Sequence, residues 1–279
     1  MSDLKQFNAV IRSTKTQEYL ADVLGERKST FVSNLTALVS NDRKLQECEP
    51  LTLMYAALTA TSLNLPLDKN LGYAYVIPYK NSRAGVSEAQ FQLGAKGITQ
   101  LAIRSGEYER INVGDVREGE LAGRNRLTGD IKFNWIEDDK ERQAKPIIGY
   151  VAYFRMNGGF SKTLYMSVEE IDEHAKRYSK TYGRSDSKWT TDRDAMAQKT
   201  VLKRLLSKFG ALSVELATAI RADQSVQRGY GEYSYVDNDR TEIKEQLAEL
   251  AMANAAKVTD AEFEEVRTNN ENLFDDEND

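Results

Sequence analysis

Apolar residues recur at three- and four-residue intervals through the first quarter of the chain, in TQEYLADVLG and STFVSNLTALVS, the period of helices with one face turned to a core. Ser29 is the expected cap of the second helix, and Pro50 suits the first turn of a third, PLTLMYAALTATSLNL. Pro66 closes that pattern, because proline has no amide proton to give a helix and pushes its predecessor out of helical space. Alternation follows. In YAYVIPY, Tyr73, Tyr75, Ile77 and Tyr79 share one face and Ala74, Val76 and Pro78 the other; in AQFQL, Ala89, Phe91 and Leu93 oppose Gln90 and Gln92, which are expected on a polar face. The two runs form a hairpin whose loop is read as Lys80 to Glu88.

After Gly94 the helical period returns, with Ile98, Leu101 and Ala102 inward, Lys96 in the first turn and Arg104 near the end. Further strands are expected in YERINVGDVREGE, IKFNWIE and PIIGYVAYFRM, the last meeting FSKTLYM across Asn157-Gly158-Gly159, a strong hairpin signal. Ser167 with Glu170 has the spacing of a capping box ahead of SVEEIDEHAKRYSK. A helix in TTDRDAMAQKTVLKRLLSKFG carries Leu202, Leu205, Leu206 and Phe209 on one stripe and stops at Gly210, and SVELATAIRAD adds a short one. The composition then shifts to Gly, Tyr, Ser, Asn and Asp. The resulting organisation is a core over 1–224, a linker over 225–240 and an acidic tail over 241–279, with helices expected in TEIKEQLAELAMANAA and TDAEFEEV before a disordered end. The fold class is α+β: an antiparallel sheet with hairpins, flanked by helices.

Charge sharpens this division. The net charge is −5, yet from Gly229 to Asp279 there are 15 acidic residues against 4 basic ones, so the remainder carries +6. A mildly basic body with an acidic tail can attract a polyanion locally despite its overall sign. No apolar run reaches the ~20 residues of a bilayer span, and the polar start lacks the apolar heart of a signal peptide. With Cys48 as the single cysteine, a cytoplasmic protein without disulfides is expected.

Catalytic signals are sparse. The single histidine, His174, lies in a helix, which with one cysteine argues against a Cys/His zinc site or a nucleophile–histidine–carboxylate relay. The phosphate-loop pattern is absent, so no ATP chemistry, cofactor, metal or catalytic residue is assigned. Asp68 and the Asp138-Asp139 pair keep open a metal-dependent phage nuclease, and a structural self-assembling protein is a third reading.

Binding signals are richer. Lys199 and Lys203 share one helical stripe and Arg204 and Lys208 another, an arrangement that repels itself unless an anion lies alongside; a solvated helix face is the alternative. The hairpin tyrosines and Trp189 either stack on bases, at ~1–3 kcal/mol each, or pack in a sheet. Gln90 and Gln92 suit phosphate or sugar without regard to base identity, and Lys96 adds charge where free helix amides already favour a phosphate.

LPLDKNLGYAYVIPY, AQFQLGAKGITQLAIRSG, VREGE and DAMAQKTVLKRLLSKFG, in this order, resemble the RecT family of phage and prophage single-strand annealing proteins. The resemblance implies a protein that binds single-stranded DNA, pairs it with a complementary strand without ATP, holds the annealed duplex intermediate, and assembles into rings or filaments. It also implies a phage exonuclease and a host single-strand-binding protein as partners, through the C-terminal part. The DNA-binding residues it implies are Lys69, Tyr75, Lys80, Arg83, Gln90, Gln92, Lys96, Arg104, Arg117, Trp189, Lys199, Lys203 and Arg204, lining a basic groove. The chain departs from the family pattern in GVSE, which lengthens the hairpin loop, and in its tail.

Overall fold

A computed structural model of the chain describes residues 2–81, 85–229 and 232–235. Two units divide the chain, 1–238 and 239–279; the second, with the helices expected in the acidic tail, lies outside the described residues. In order, the elements are α1 (Ser2–Ile11), α2 (Thr14–Leu24), a 3₁₀ turn (Gly25–Arg27), α3 (Lys28–Ser40), α4 (Arg43–Gln46), α5 (Pro50–Ser62), β1 (Ala74–Asn81), β2 (Val86–Leu93), α6 (Ala95–Arg104), β3 (Tyr108–Arg117), β4 (Leu121–Arg124) and β5 (Ile131–Phe133). They continue as α7 (Asp139–Ala144), β6 (Ile147–Met156), β7 (Ser161–Ser167), α8 (Val168–Tyr178), α9 (Lys188–Thr191), α10 (Arg193–Phe209), α11 (Val214–Ala222), β8 (Ser225–Gln227) and β9 (Tyr233–Ser234).

Local chemistry accounts for most boundaries. Pro50 occupies the first turn of α5, whose Leu53, Met54, Ala56, Ala57 and Ala60 are all buried, so this helix is enclosed nearly all round. The Ser167 capping box closes from both sides, and the turn at Asn157–Gly159 joins β6 to β7 with Gly159 at φ 86°. Ser29 is not a cap. The chain enters α3 directly from the 3₁₀ turn with Arg27 already in helical conformation, which leaves Ser29 inside the first turn.

Three antiparallel sheets are present among the described residues, ordered β1-β2-β8-β9, β3-β6-β7 and β4-β5. Helix α5 covers one face of the first: the Ala89 amide donates to Thr52 Oγ1 at 2.9 Å and Gln227 Nε2 to Thr59 Oγ1 at 2.8 Å. Helix α10 packs on β3, β6 and β7 and also meets α6 and α11, so it bridges the two larger sheets.

Two sequence expectations change here. The hairpin ladder runs into the expected loop as far as Asn81↔Val86, because Glu88, 1% exposed, accepts hydrogen bonds from Asn81 Nδ2 at 3.0 Å and from Arg228. Residues 225–227, read as the start of a linker, form buried β8 against β2. Their pairing partners lie some 135 residues upstream, at Gln90 and Phe91, out of reach of any local composition argument.

Candidate nucleic-acid interface

The end of β2 and the start of α6 are pressed against the chain entering β1. Gly94 donates its amide to Tyr73 O at 2.8 Å. A Cβ on Gly94 would lie 2.0 Å from Gly72 O and one on Gly97 2.1 Å from Tyr73 O, so only glycine permits this approach. Tyr75 Oη and Lys96 Cδ lie 3.4 and 3.6 Å from the point where a Gly72 Cβ would sit, so the phenol and the lysine stem flank Gly72 together. Gln92 pairs with Tyr75 across the hairpin. Because the N-cap of α6 is Gly94, no side chain caps its first-turn amides, and exposed Lys96 adds its charge at the positive end of the helix.

A second group meets this one through Asp223, which follows α11. Its Oδ1 accepts the Leu93 amide at 2.9 Å and lies 3.7 Å from Lys199 Nζ, and its Oδ2 accepts from Lys203 Nζ at 2.6 Å. Asp223 is 1% exposed, and the Lys199 and Lys203 side chains are 12% and 22% exposed. Burial alone would raise the Asp223 carboxyl, but the two ammonium groups and the hydrogen bonds from Lys203 and Leu93 hold it below the usual carboxylate range. Burial pushes the Lys199 ammonium below the ordinary lysine value against the pull of Asp223.

Tyr75, Gln92 and Lys96 thus lie where the β1–β2 hairpin meets α6, and Lys199 and Lys203 on α10 are tied to the same strand through Asp223 and the Leu93 amide. The other expected residues go elsewhere. Lys69 pairs with Asp42, and Lys80 is exposed toward the far end of β1. Arg83 lies outside the described residues. Gln90 is 5% exposed, not on an open polar face, because β8 lies alongside it opposite Val226. Arg104 donates to Leu63 O and Asn64 O at 3.0 and 3.1 Å, closing the C-terminal end of α5. Arg117 bridges Asp115 Oδ2 at 2.6 Å and Lys145 O at 2.8 Å. Trp189 is 7% exposed with Tyr182 edge-on to it, so in this conformation its faces are closed to a base. Arg204 is partly exposed on α10.

Sequence reasoning missed Asp223, the Lys180–Tyr79 contact (2.7 Å, Nζ to Oη), and the pairing of Arg142 with buried Glu120. None carries a local motif. Among the described residues no three His, Cys, Asp or Glu side chains are placed to hold a metal ion, and no helix is long and apolar enough to cross a membrane. Asp68 Oδ1 accepts the Asn70 amide and Asp138 Oδ1 caps α7 through the Glu141 amide.

Asp42, Asp115, Glu120 and Asp223 each gain more from their cationic partners and hydrogen bonds than burial costs them, and all are held below the ordinary range. Unfolded carboxyls therefore take up protons first as pH falls. The stability these groups contribute is complete above about pH 5 and is lost as pH drops through about 4 and below. A melting temperature that stays level from neutral pH down to about 3 would contradict this.

The sequence model of the RecT family matches residues 29–237. Protein YqaK of Bacillus subtilis (strain 168), described as uncharacterized, is 43% identical over 208 residues, which is 74% of this chain and 68% of that protein. Protein RecT of Escherichia coli (strain K12) is 28% identical over 213 residues, covering 70% of this chain and 74% of that one.

Proposed function

Because the chain belongs to the RecT family, which implies a single-strand annealing recombination protein, we propose that it grips single-stranded DNA by its backbone at the junction of β2, α6 and α10 and anneals it without ATP. The observation that carries this reading is that Lys199 and Lys203 are tied through Asp223 to β2, the strand that bears Gln92 and leads into α6, where Tyr75 and Lys96 flank Gly72 beside uncapped helix amides. Annealing requires such a site. Contacts to phosphate and sugar position a strand and leave base edges open to a complementary one, and pairing itself supplies the free energy.

Several protomers side by side would hold a strand extended, so the working form is an oligomer, ring or filament, that retains the new duplex until it is released. Lys80 and Arg204 add further basic charge, while Lys69, Arg104 and Arg117 support the fold around it. The core, which β8 carries on to at least Gln227, holds the DNA, and the acidic tail over 241–279 docks a phage exonuclease and the host single-strand-binding protein in the cytoplasm. Such proteins are not enzymes in the covalent sense.

The test is direct. Two complementary fluorophore-labelled oligonucleotides should pair faster with the protein than without it in buffer lacking nucleotide. Affinity for one strand should fall linearly in log–log form with salt, by about 0.7 per phosphate contacted. An unchanged pairing rate overturns the reading, and strand scission in Mg²⁺ lost on replacing Asp138 and Asp139 would install a nuclease in its place.

A further inference from the structure

Two lysines meet one carboxylate at the centre of the interface. Among the described residues, Lys199 and Lys203 pair with no acid other than Asp223, so a nearly enclosed cluster carries one surplus positive charge. An uncompensated cation in such a place is costly, so it either sheds its proton, the direction in which burial pushes Lys199, or draws an anion from outside. The cluster is graded toward the outside, Asp223 at 1%, Lys199 at 12% and Lys203 at 22% side-chain exposure. It also hangs from the strand that leads into α6: the same carboxylate that holds the lysines accepts the Leu93 amide, three residues before Lys96.

We infer that Asp223 is the resident counter-ion of a phosphate subsite, holding Lys203 in place in the free protein and yielding it to a phosphate of the DNA backbone when the strand binds. This rests on the annealing reading and adds to it a residue that reasoning from sequence did not find. The exchange is cheap for a structural reason. Lys199 stays beside Asp223 when Lys203 turns outward, so the carboxylate is not left alone, and the surplus charge is cancelled by the incoming phosphate. Asp223 does not touch the DNA; it is a positioning residue that presets the lysine and competes for it.

The inference predicts opposite effects from two variants of the full-length protein. Asp223→Asn removes the competing charge and leaves two lysines seeking an anion. Its binding to a fluorescein-labelled oligo(dT) should have a log affinity–log salt slope steeper by about 0.7, the increment of one further phosphate contact on a single strand. Addition of the oligonucleotide should also raise its melting temperature more than it raises that of the unaltered protein. Lys203→Met leaves a neutral Lys199–Asp223 pair, and its slope should be shallower by about 0.7.

Loss of stability by itself moves neither slope, which separates this role from a purely architectural one. Should Asp223→Asn fail to fold, Lys203→Met decides alone. Slopes identical to that of the unaltered protein, or a shallower slope in Asp223→Asn, overturn the inference while leaving the annealing reading intact. If the unaltered protein shows no salt-dependent binding to oligo(dT), both fall together.

Discussion

Replacing Arg142 by alanine is expected to remove about 3–5 kcal/mol of stability, the cost of leaving a buried charge without its partner, and to lower the melting temperature by about 10 °C at this chain length. Glu120 has no exposed surface, and its carboxylate accepts Arg142 Nε at 2.7 Å, Arg142 Nη2 at 3.2 Å and the Arg117 amide at 2.7 Å. The same guanidinium donates to Asp115 O at 2.8 Å, so α7 is tied to β3 and to the turn before β4 by a single side chain. Lysine is no substitute, because the interaction uses the planar fork of the guanidinium. Arg142→Lys should recover only part of the loss, whereas the double change Glu120→Gln with Arg142→Met should recover most of it, since neither partner is then a stranded charge. Thermal and urea unfolding of the three variants measure this. A loss under about 1 kcal/mol in Arg142→Ala would mean that Glu120 takes up a proton or water instead.

Gly94→Ala is expected to damage both the fold and DNA binding. The backbone at Gly94 has φ −85°, open to any residue, so the objection is one of space alone. The new methyl would meet Gly72 O at 2.0 Å and Gly72 C at 2.8 Å, and both are main-chain atoms with no rotamer to retreat to. Either α6 or the chain entering β1 must move, at a cost on the order of 3 kcal/mol for overpacking of this kind. The movement separates Lys96 from Tyr75 and shifts the Leu93 amide off Asp223, so oligonucleotide affinity should drop at least about tenfold, which corresponds to ~1.4 kcal/mol. Gly114→Ala supplies the comparison, because a Cβ there meets nothing within 4 Å. Fluorescence anisotropy and circular-dichroism melts read the two effects, and a Gly94→Ala protein that binds and melts like Gly114→Ala would refute the close-approach argument.

The elements written plainly in the sequence are those whose cause is local. Pro50 ahead of a largely apolar run, Ser167 with Glu170 three residues on, and Asn157-Gly158-Gly159 between alternating runs each specify their structure within a few residues, and each forms as expected. Ser29 shows the limit even locally, since a preceding 3₁₀ turn had already set the backbone helical before the serine was reached. The RecT motifs were legible too, because they record the order of whole segments.

What the sequence determined by itself was therefore the periodicity of each segment, the α+β class, the separation of a basic body from an acidic end, and the family. Which cations face outward was decided only by tertiary structure. A lysine looks the same in a sequence whether it awaits a phosphate or is held by a carboxylate, and the partners that settle the matter stand far along the chain: Asp223 is 20 residues from Lys203, Glu120 is 22 from Arg142, and Leu63 is 41 from Arg104. Side-chain charge is a property of one residue, but its availability depends on the dielectric and the neighbours that folding assembles around it.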